Sequence, residues 1–181
     1  MNSSNSPADE TCVSEDEKWM RYALKLAEKA QAINEVPVGA VIVKEGRILG
    51  EGFNSPIQDH DPSAHAEMNA IRMAASNIQN YRLVDASLYV TLEPCPMCAG
   101  AIIHARLARV VFGASDYKTG AAGSVMQLLQ SEKLNHKCVI NGGILKAECA
   151  ETISAFFAWR RSQIKAAKAA AKIGDPTQAV K

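Results

Sequence analysis

The sequence predicts an α/β fold, a mixed sheet of about five strands with helices on both faces. Two β-branched runs flanking Glu45-Gly46 read as a hairpin, which makes the opening part of the sheet antiparallel. Beyond it, strand-like runs alternate with segments of helical period, the pattern of strands joined by covering helices. No internal repeat interrupts this order.

Each element has its own signal. Ser14 and Glu17 stand at capping-box spacing and open a helix that runs to about residue 33. Trp19, Met20, Ala23, Leu24, Ala27 and Ala30 recur along it at helical spacing. The hairpin pairs 38–43 with 48–53, and a polar loop, 54–62, leads into an alanine-rich helix over about 63–76. A strand at 88–92, a short helix over about 96–105 and a strand at 109–112 follow. A Gly/Ala-rich loop, 113–123, precedes a small helix near 124–129 and a last strand at 137–140. A long helix from 147 to about 172 ends at Gly174-Asp175-Pro176. Residues 1–13 are polar and aperiodic and read as a disordered extension; 14–172 form the domain, and 173–181 a disordered tail.

At 181 residues the chain is long enough for one domain with a sizeable core and short for two. Aromatic residues make up 6%, so the core rests mainly on Ala, Val, Ile and Leu. A net charge of +1 gives no overall attraction for nucleic acid, but the charge is unevenly placed. Residues 1–17 hold five acids and no Lys or Arg, whereas 158–181 hold six bases against Asp175 alone. A basic end attracts phosphates by displacing counterions, although lysines at this spacing also simply solvate a helix. No apolar run approaches the roughly 20 residues of a membrane span. The acidic, Ser/Asn-rich start has neither a basic nor a hydrophobic stretch, so the expected location is cytoplasmic. Cys12, Cys95, Cys98, Cys138 and Cys149 are then expected as thiols or metal ligands rather than disulfides.

Two short motifs carry chemistry. His65-Ala66-Glu67 opens one predicted helix, and Pro94-Cys95-Pro96-Met97-Cys98 opens another directly after a strand. Cysteines three apart on a first helical turn face one side, and a helix N-terminus favours the thiolate that a metal requires. With His65 they make three protein ligands, an open zinc site whose fourth position is left to water. Glu67 diverges from His65 on a regular helix, and its longer arm suits a proton acceptor and donor rather than a fourth ligand. Pro94 ends the strand and Pro96 suits a first helical turn. A closed structural site would need a fourth ligand, for which Cys138, Cys149 and His104 are available. H-x-E followed by P-C-x-x-C is the signature of zinc-dependent nucleobase deaminases.

Residues 19–165 resemble the bacterial-type tRNA-specific adenosine deaminases of the cytidine/deoxycytidylate deaminase superfamily. Besides the zinc motifs, the matching blocks are Glu35-Val36-Pro37-Val38-Gly39-Ala40-Val41, Asp61-Pro62-Ser63-Ala64 before His65, Leu88-Tyr89-Val90-Thr91-Leu92-Glu93 before Pro94, and Lys118-Thr119-Gly120-Ala121-Ala122-Gly123-Ser124. The resemblance implies a cytidine-deaminase-like three-layer α/β/α fold with one Zn2+ per subunit and no organic cofactor. It implies hydrolysis of adenosine to inosine at the wobble position of a tRNA anticodon. Zinc hydroxide would attack C6 while Glu67 shuttles protons, with the nucleotide extruded into a pocket.

By the same resemblance Asn54 would hydrogen-bond the target nucleotide, and the backbone at Pro94 and Cys95 would position its amino group. Asp116 would contact a neighbouring nucleotide, and Arg160 or Arg161 a loop phosphate or base. Phe156 would touch a base, although with Ile153 and Phe157 it reads first as a packing face. Ser115 stands where some relatives carry a basic residue, which removes one phosphate contact. The implied partners are a tRNA anticodon stem-loop and a second copy of the chain, with the small, apolar helix at 97–103 able to pack closely. Two other readings stay open: a zinc-dependent deaminase of a free base or nucleotide such as guanine or cytosine, and an RNA-binding protein with structural zinc.

Overall fold

The computed structural model describes residues 14–173, with side chains through residue 170. The expected N-terminal extension and the Gly174-Asp175-Pro176 stop with its tail lie outside these residues. The elements are α1 (Glu15–Ala32), β1 (Gly39–Lys44), β2 (Arg47–Phe53), α2 (Pro56–Asp59), α3 (Ala66–Ile78), β3 (Ser87–Leu92), α4 (Pro96–His104), β4 (Arg109–Ala114), β5 (Val139–Gly142) and α5 (Lys146–Ile173). The five strands form one sheet in the order β2-β1-β3-β4-β5. β1 is antiparallel to both β2 and β3, while β3, β4 and β5 run parallel.

Local chemistry starts these elements where it was legible. Ser14 Oγ accepts from the Glu17 N–H at 3.2 Å, and Glu15, Asp16 and Glu17 place negative charge at the positive end of α1. The buried face of α1 is Trp19, Met20, Ala23, Leu26, Ala27 and Ala30. Leu26 joins the core because a period of 3.6 from Ala23 lands nearer 26 and 27, and Leu24 packs half-buried against its edge. The hairpin turns on Glu45 (φ 51°) and Gly46 (φ 71°), both left-handed, as a two-residue turn matched to strand twist demands.

Side chains alternate across the central strands and build two cores. Ile42, Leu88, Val90 and Val110 pack beneath α3 and α4, with Ala66, Ala70 and Ile102. Val41, Tyr89 and Val111 face the other way, onto Trp19, Met20 and Ala23 of α1 and Cys149 of α5. Gly52 sets how close α3 comes, since a Cβ there would lie 2.3 Å from the Ala66 carbonyl oxygen. Its missing side chain lets the first turn of α3, which carries Glu67, rest directly on β2.

Across the second core, Asp16 receives two bonds from Arg109, each 2.7 Å, and one from the Tyr89 hydroxyl at 3.1 Å. The Arg109 guanidinium holds the Asp16 carboxyl below the usual carboxylate range. Such a group contributes stability that is complete above its unfolded pKa and is lost as pH falls through the folded one. Asp16→Asn is thus expected to lower the urea midpoint at neutral pH by an amount worth about 1 kcal/mol. The difference from the parent should shrink toward about pH 3. Equal differences at both pH values would show that the ionised pair contributes nothing.

Three elements differ from expectation. The loop after β2 contains α2, because Glu35 Oε1 accepts from the Ile57 and Gln58 amides at 2.6 and 2.9 Å and so caps a turn that Pro56 opens. No helix forms at 124–129: the Val125 and Met126 amides both bond the Gly120 carbonyl, and Leu128 bonds that of Ala121. β5 begins two residues later than expected, at Val139, and pairs in parallel with Arg109. No helix among the described residues is long and apolar enough to cross a membrane.

Candidate metal centre and its cavity

Two helix N-termini meet beyond the end of β3. His65 is the N-cap of α3 and Cys95 the N-cap of α4, each in extended backbone, with Pro96 at the first helical position after Cys95. Neither cap uses its own side chain on its helix, so the imidazole and the sulfur are free to point outward. The opening of α3 is capped from a distance instead: Asn54 Oδ1 accepts from the Ala66 N–H at 2.9 Å. Cys98, one turn into α4, is fully buried.

His65 Nδ1 lies 3.7 Å from Cys95 Sγ and 3.6 Å from Cys98 Sγ, and the three donor atoms fall within 4.8 Å of one another. Zinc at ordinary Zn–N and Zn–S lengths in a tetrahedron requires N···S separations of roughly 3.6 Å. The donor set, one imidazole and two sulfurs, and its spacing therefore fit zinc. Hydrogen bonding from Cys98 holds the Cys95 thiol down to about 4, while that same bond and burial push Cys98 up. The Cys95 sulfur in turn raises the His65 imidazole.

No fourth protein ligand joins this group among the described residues. Cys138 donates to the Leu107 carbonyl at 3.1 Å, and burial raises its thiol to about 11. Cys149 lies in the core under α1, raised to about 12 by burial, and His104 is exposed at the end of α4. The centre is open rather than closed. Glu67 stands beside it without belonging to it, 4% exposed, with burial pushing its carboxyl up.

Above the donors is a cavity of about 200 Å3, walled by Val36, Val38 and Leu92 on its apolar side and by Asn54, Asp116 and Thr119 on its polar side. That is smaller than the roughly 300–1,000 Å3 of drug-sized sites and of a scale for one heterocyclic base. Asn54 has committed its oxygen to Ala66, which leaves its Nδ2 donor for a ligand. Asp116 uses Oδ1 on the Lys118 and Thr119 amides and Oδ2 on the Thr119 hydroxyl, so its carboxylate shapes the turn as well as facing the cavity. Pro94 is buried, and its carbonyl accepts from the Ala121 N–H at 2.8 Å.

Phe156, which reads first as a packing residue and by resemblance as a base contact, is buried, edge-on against Phe157 at 5.7 Å and tilted against Trp159 at 5.6 Å, in keeping with the packing role. Phe157 is the exposed ring, and with Lys118, Ile153 and Arg161 it lines a groove beside the loop that bears Asp116. Arg160 is exposed on α5 outside that group. Lys118, Thr119, Glu93 and Phe157 are the site residues that sequence reasoning missed. The Phe156-Phe157 pair carried a signal for one ring, but which ring faces the core depends on how α5 is rotated against the sheet.

The sequence profile of the cytidine and deoxycytidylate deaminase zinc-binding region matches residues 13–114, a span that includes all three donors and Glu67. The chain belongs to this family. A tRNA-specific adenosine deaminase of Haemophilus influenzae is 56% identical over 158 residues, covering 87% of this chain and 91% of the relative. Another, of Bacillus subtilis, is 46% identical over 156 residues, covering 86% and 97%. A solved structure from a study of A-to-I editing by tRNA:A34 deaminases at the wobble position superposes with a TM-score of 0.72 at 41% identity, covering 75% of this chain and 98% of that one. Family and sheet agree with the expected cytidine-deaminase-like α/β fold, and zinc is the family's metal.

Proposed function

We propose that this deaminase hydrolyses adenosine to inosine at the wobble position of a tRNA anticodon, consuming water and releasing ammonia. The observation that carries the chemistry is a three-donor N,S,S centre with a buried carboxylate beside it, at the floor of a cavity sized for one base. The substrate is supported by the relatives, which are tRNA-specific adenosine deaminases over nearly their full length.

His65, Cys95 and Cys98 would hold the zinc, which supplies Lewis acidity that makes a hydroxide nucleophile available at neutral pH. Glu67 accepts one proton of the attacking water and delivers it to N1 of the base, then accepts the remaining proton from the hydroxyl on C6 and delivers it to the departing amine. Burial suits it to this exchange, because a carboxyl pushed upward holds a proton more readily than an exposed one. Asn54 Nδ2 donates to an acceptor on the nucleotide, and the backbone at Pro94 and Cys95 fixes the position of the amino group. Val36, Val38 and Leu92 exclude water from the ring faces. A base reaches this floor only when extruded from its stack, which costs least in an anticodon loop.

Asp116 and Thr119 at the rim, and the groove of Lys118, Phe157 and Arg161 beyond it, take the flanking nucleotides, with Arg160 farther along α5 toward phosphate. The chain acts in the cytoplasm as a homodimer through the outer face of α4. A side chain at Gly100 would meet nothing within 4 Å, and Met97 is exposed, so this face can receive a second helix closely. A monomeric mass in solution at micromolar concentration would rule the dimer out.

The deciding experiment is inosine formation in an anticodon stem-loop with a wobble adenosine, run beside free adenosine, cytidine and guanine. Conversion of the stem-loop alone is expected. Turnover of a free base or nucleoside would keep the zinc chemistry and overturn the tRNA substrate.

A further inference from the structure

One buried acid borders the cavity without belonging to the metal donors. Glu93, 2% exposed, lies between β3 and Pro94, and its carboxylate meets four donors of a single loop. Oε1 accepts from the Ala122 and Ser124 amides at 3.0 Å each; Oε2 accepts from the Asp116 amide at 3.0 Å and from the Ser124 hydroxyl. The loop has no regular structure of its own to satisfy those amides. Gly120 passes close over the acid: a Cβ there would lie 2.5 Å from Glu93 Cδ and 2.5 Å from the Asp116 carbonyl oxygen. Asp116 and Thr119, within this loop, form the polar wall of the cavity.

We propose that Glu93 is a positioning residue for substrate recognition: it folds loop 116–124 around a buried acceptor and so sets the wall against which the nucleotide binds. A carboxylate suits the task because it accepts at both oxygens and carries no competing donor. Glutamine keeps the size but places an N–H2 where one oxygen stood. With its oxygen kept on Ala122 and Ser124, the N–H2 confronts the Asp116 amide, donor against donor. The Ser124 hydroxyl can turn and accept; the Asp116 amide cannot. The substitution therefore releases the end of the loop that carries Asp116 while the zinc donors and Glu67 stay in place. The kinetic consequence rests on the deaminase reading above, whereas the loop-holding role does not.

The test joins amide hydrogen exchange to steady-state kinetics on the full-length, zinc-loaded protein. Glu93→Gln is expected to speed exchange across 114–126 at least about tenfold with full zinc content. KM for the stem-loop should rise about tenfold and kcat stay within about threefold, the pattern of lost binding rather than lost chemistry. Gly120→Ala, which presses on both the Glu93 carboxylate and the Asp116 carbonyl, should disturb the same loop and reproduce both effects. Ser124→Ala, which removes one of four bonds, should lie between it and the parent. Unchanged exchange in both Glu93→Gln and Gly120→Ala overturns the loop-holding role. Faster exchange with unchanged KM overturns the recognition role, and a fall in kcat alone makes Glu93 a participant in the chemistry instead. If Glu93→Gln does not fold, Ser124→Ala, which removes one bond to the carboxylate and leaves the backbone alone, decides by the same readouts. An inactive parent would defeat the functional reading, and exchange would still decide whether Glu93 holds the loop.

Discussion

Glu67→Ala is expected to lower kcat at least about 10²–10⁴-fold, the range a positioned acid–base group supplies, with zinc content unchanged. The separation of activity from metal follows from the geometry. The three donors sit within 4.8 Å of one another without Glu67, which belongs to the first turn of α3 whereas His65 is its extended N-cap. Glu67→Gln sharpens the result, since it preserves volume while removing the ability to accept a proton. Neither variant should cost much stability. Burial is the main cause raising the Glu67 carboxyl, so the acid resides where its ionised form is poorly solvated. Replacing it with a neutral amide relieves that burden, and Glu67→Gln is expected to melt at or above the parent temperature. Loss of zinc with loss of activity would instead make Glu67 a ligand.

The centre was legible because its residues are tied to local backbone signals. A Pro just inside a helix start, two cysteines one turn apart and a strand ending at Leu92 all lie within ten residues, so spacing alone orients them. His65 was harder, as its cap is completed by Asn54 from eleven positions upstream of it, yet the H-A-E motif marked it. The hairpin was legible for the same local reason, since Glu45-Gly46 specifies the turn and the turn specifies the register.

What was not legible is the structure imposed by distant acids. Glu35 creates α2 from 22 residues away, and Glu93 draws in Ser124 from 31 away. The segment 124–129 has apolar residues at helical spacing, but its amides already have partners in the loop, so the local pattern lost to tertiary hydrogen bonding. No cap, turn or periodicity signal distinguishes Glu35 or Glu93 from a solvated surface acid, although both fall in the blocks that resemble the family. The polar wall of the cavity thus depends on a buried carboxylate, whereas its floor depends on motifs, and Asn54 and Asp116 on that wall were reached through the family resemblance and not through a local signal.

Cys98→Ser is expected to abolish both zinc binding and turnover, and the way the protein loses its metal decides between a catalytic and a structural ion. Second-sphere changes around zinc cost about 10–100-fold in affinity, and losing a fully buried thiolate donor exceeds that. Elemental analysis after dialysis against a weak chelator should therefore fall from one zinc per chain to nearly none. The fold should outlast the ion. Neither hydrophobic core includes His65, Cys95 or Cys98; the donors sit where α3 and α4 begin, past the end of the sheet. An ion there ties two helix starts together and stabilises the folded chain by its binding free energy, about 2.7 kcal/mol when free zinc is a hundredfold above Kd. Chelation of the parent protein should lower Tm by about 5–11 °C on that account, keep the far-ultraviolet helix signal, and reverse on adding one equivalent of zinc. A zinc-dependent collapse of the helix signal would identify the ion as the organiser of the fold, as in small zinc domains, and would favour the RNA-binding reading over the enzyme. Retention of the fold with loss of turnover is what an open three-donor centre requires, because the position it leaves vacant serves a reaction and not the structure.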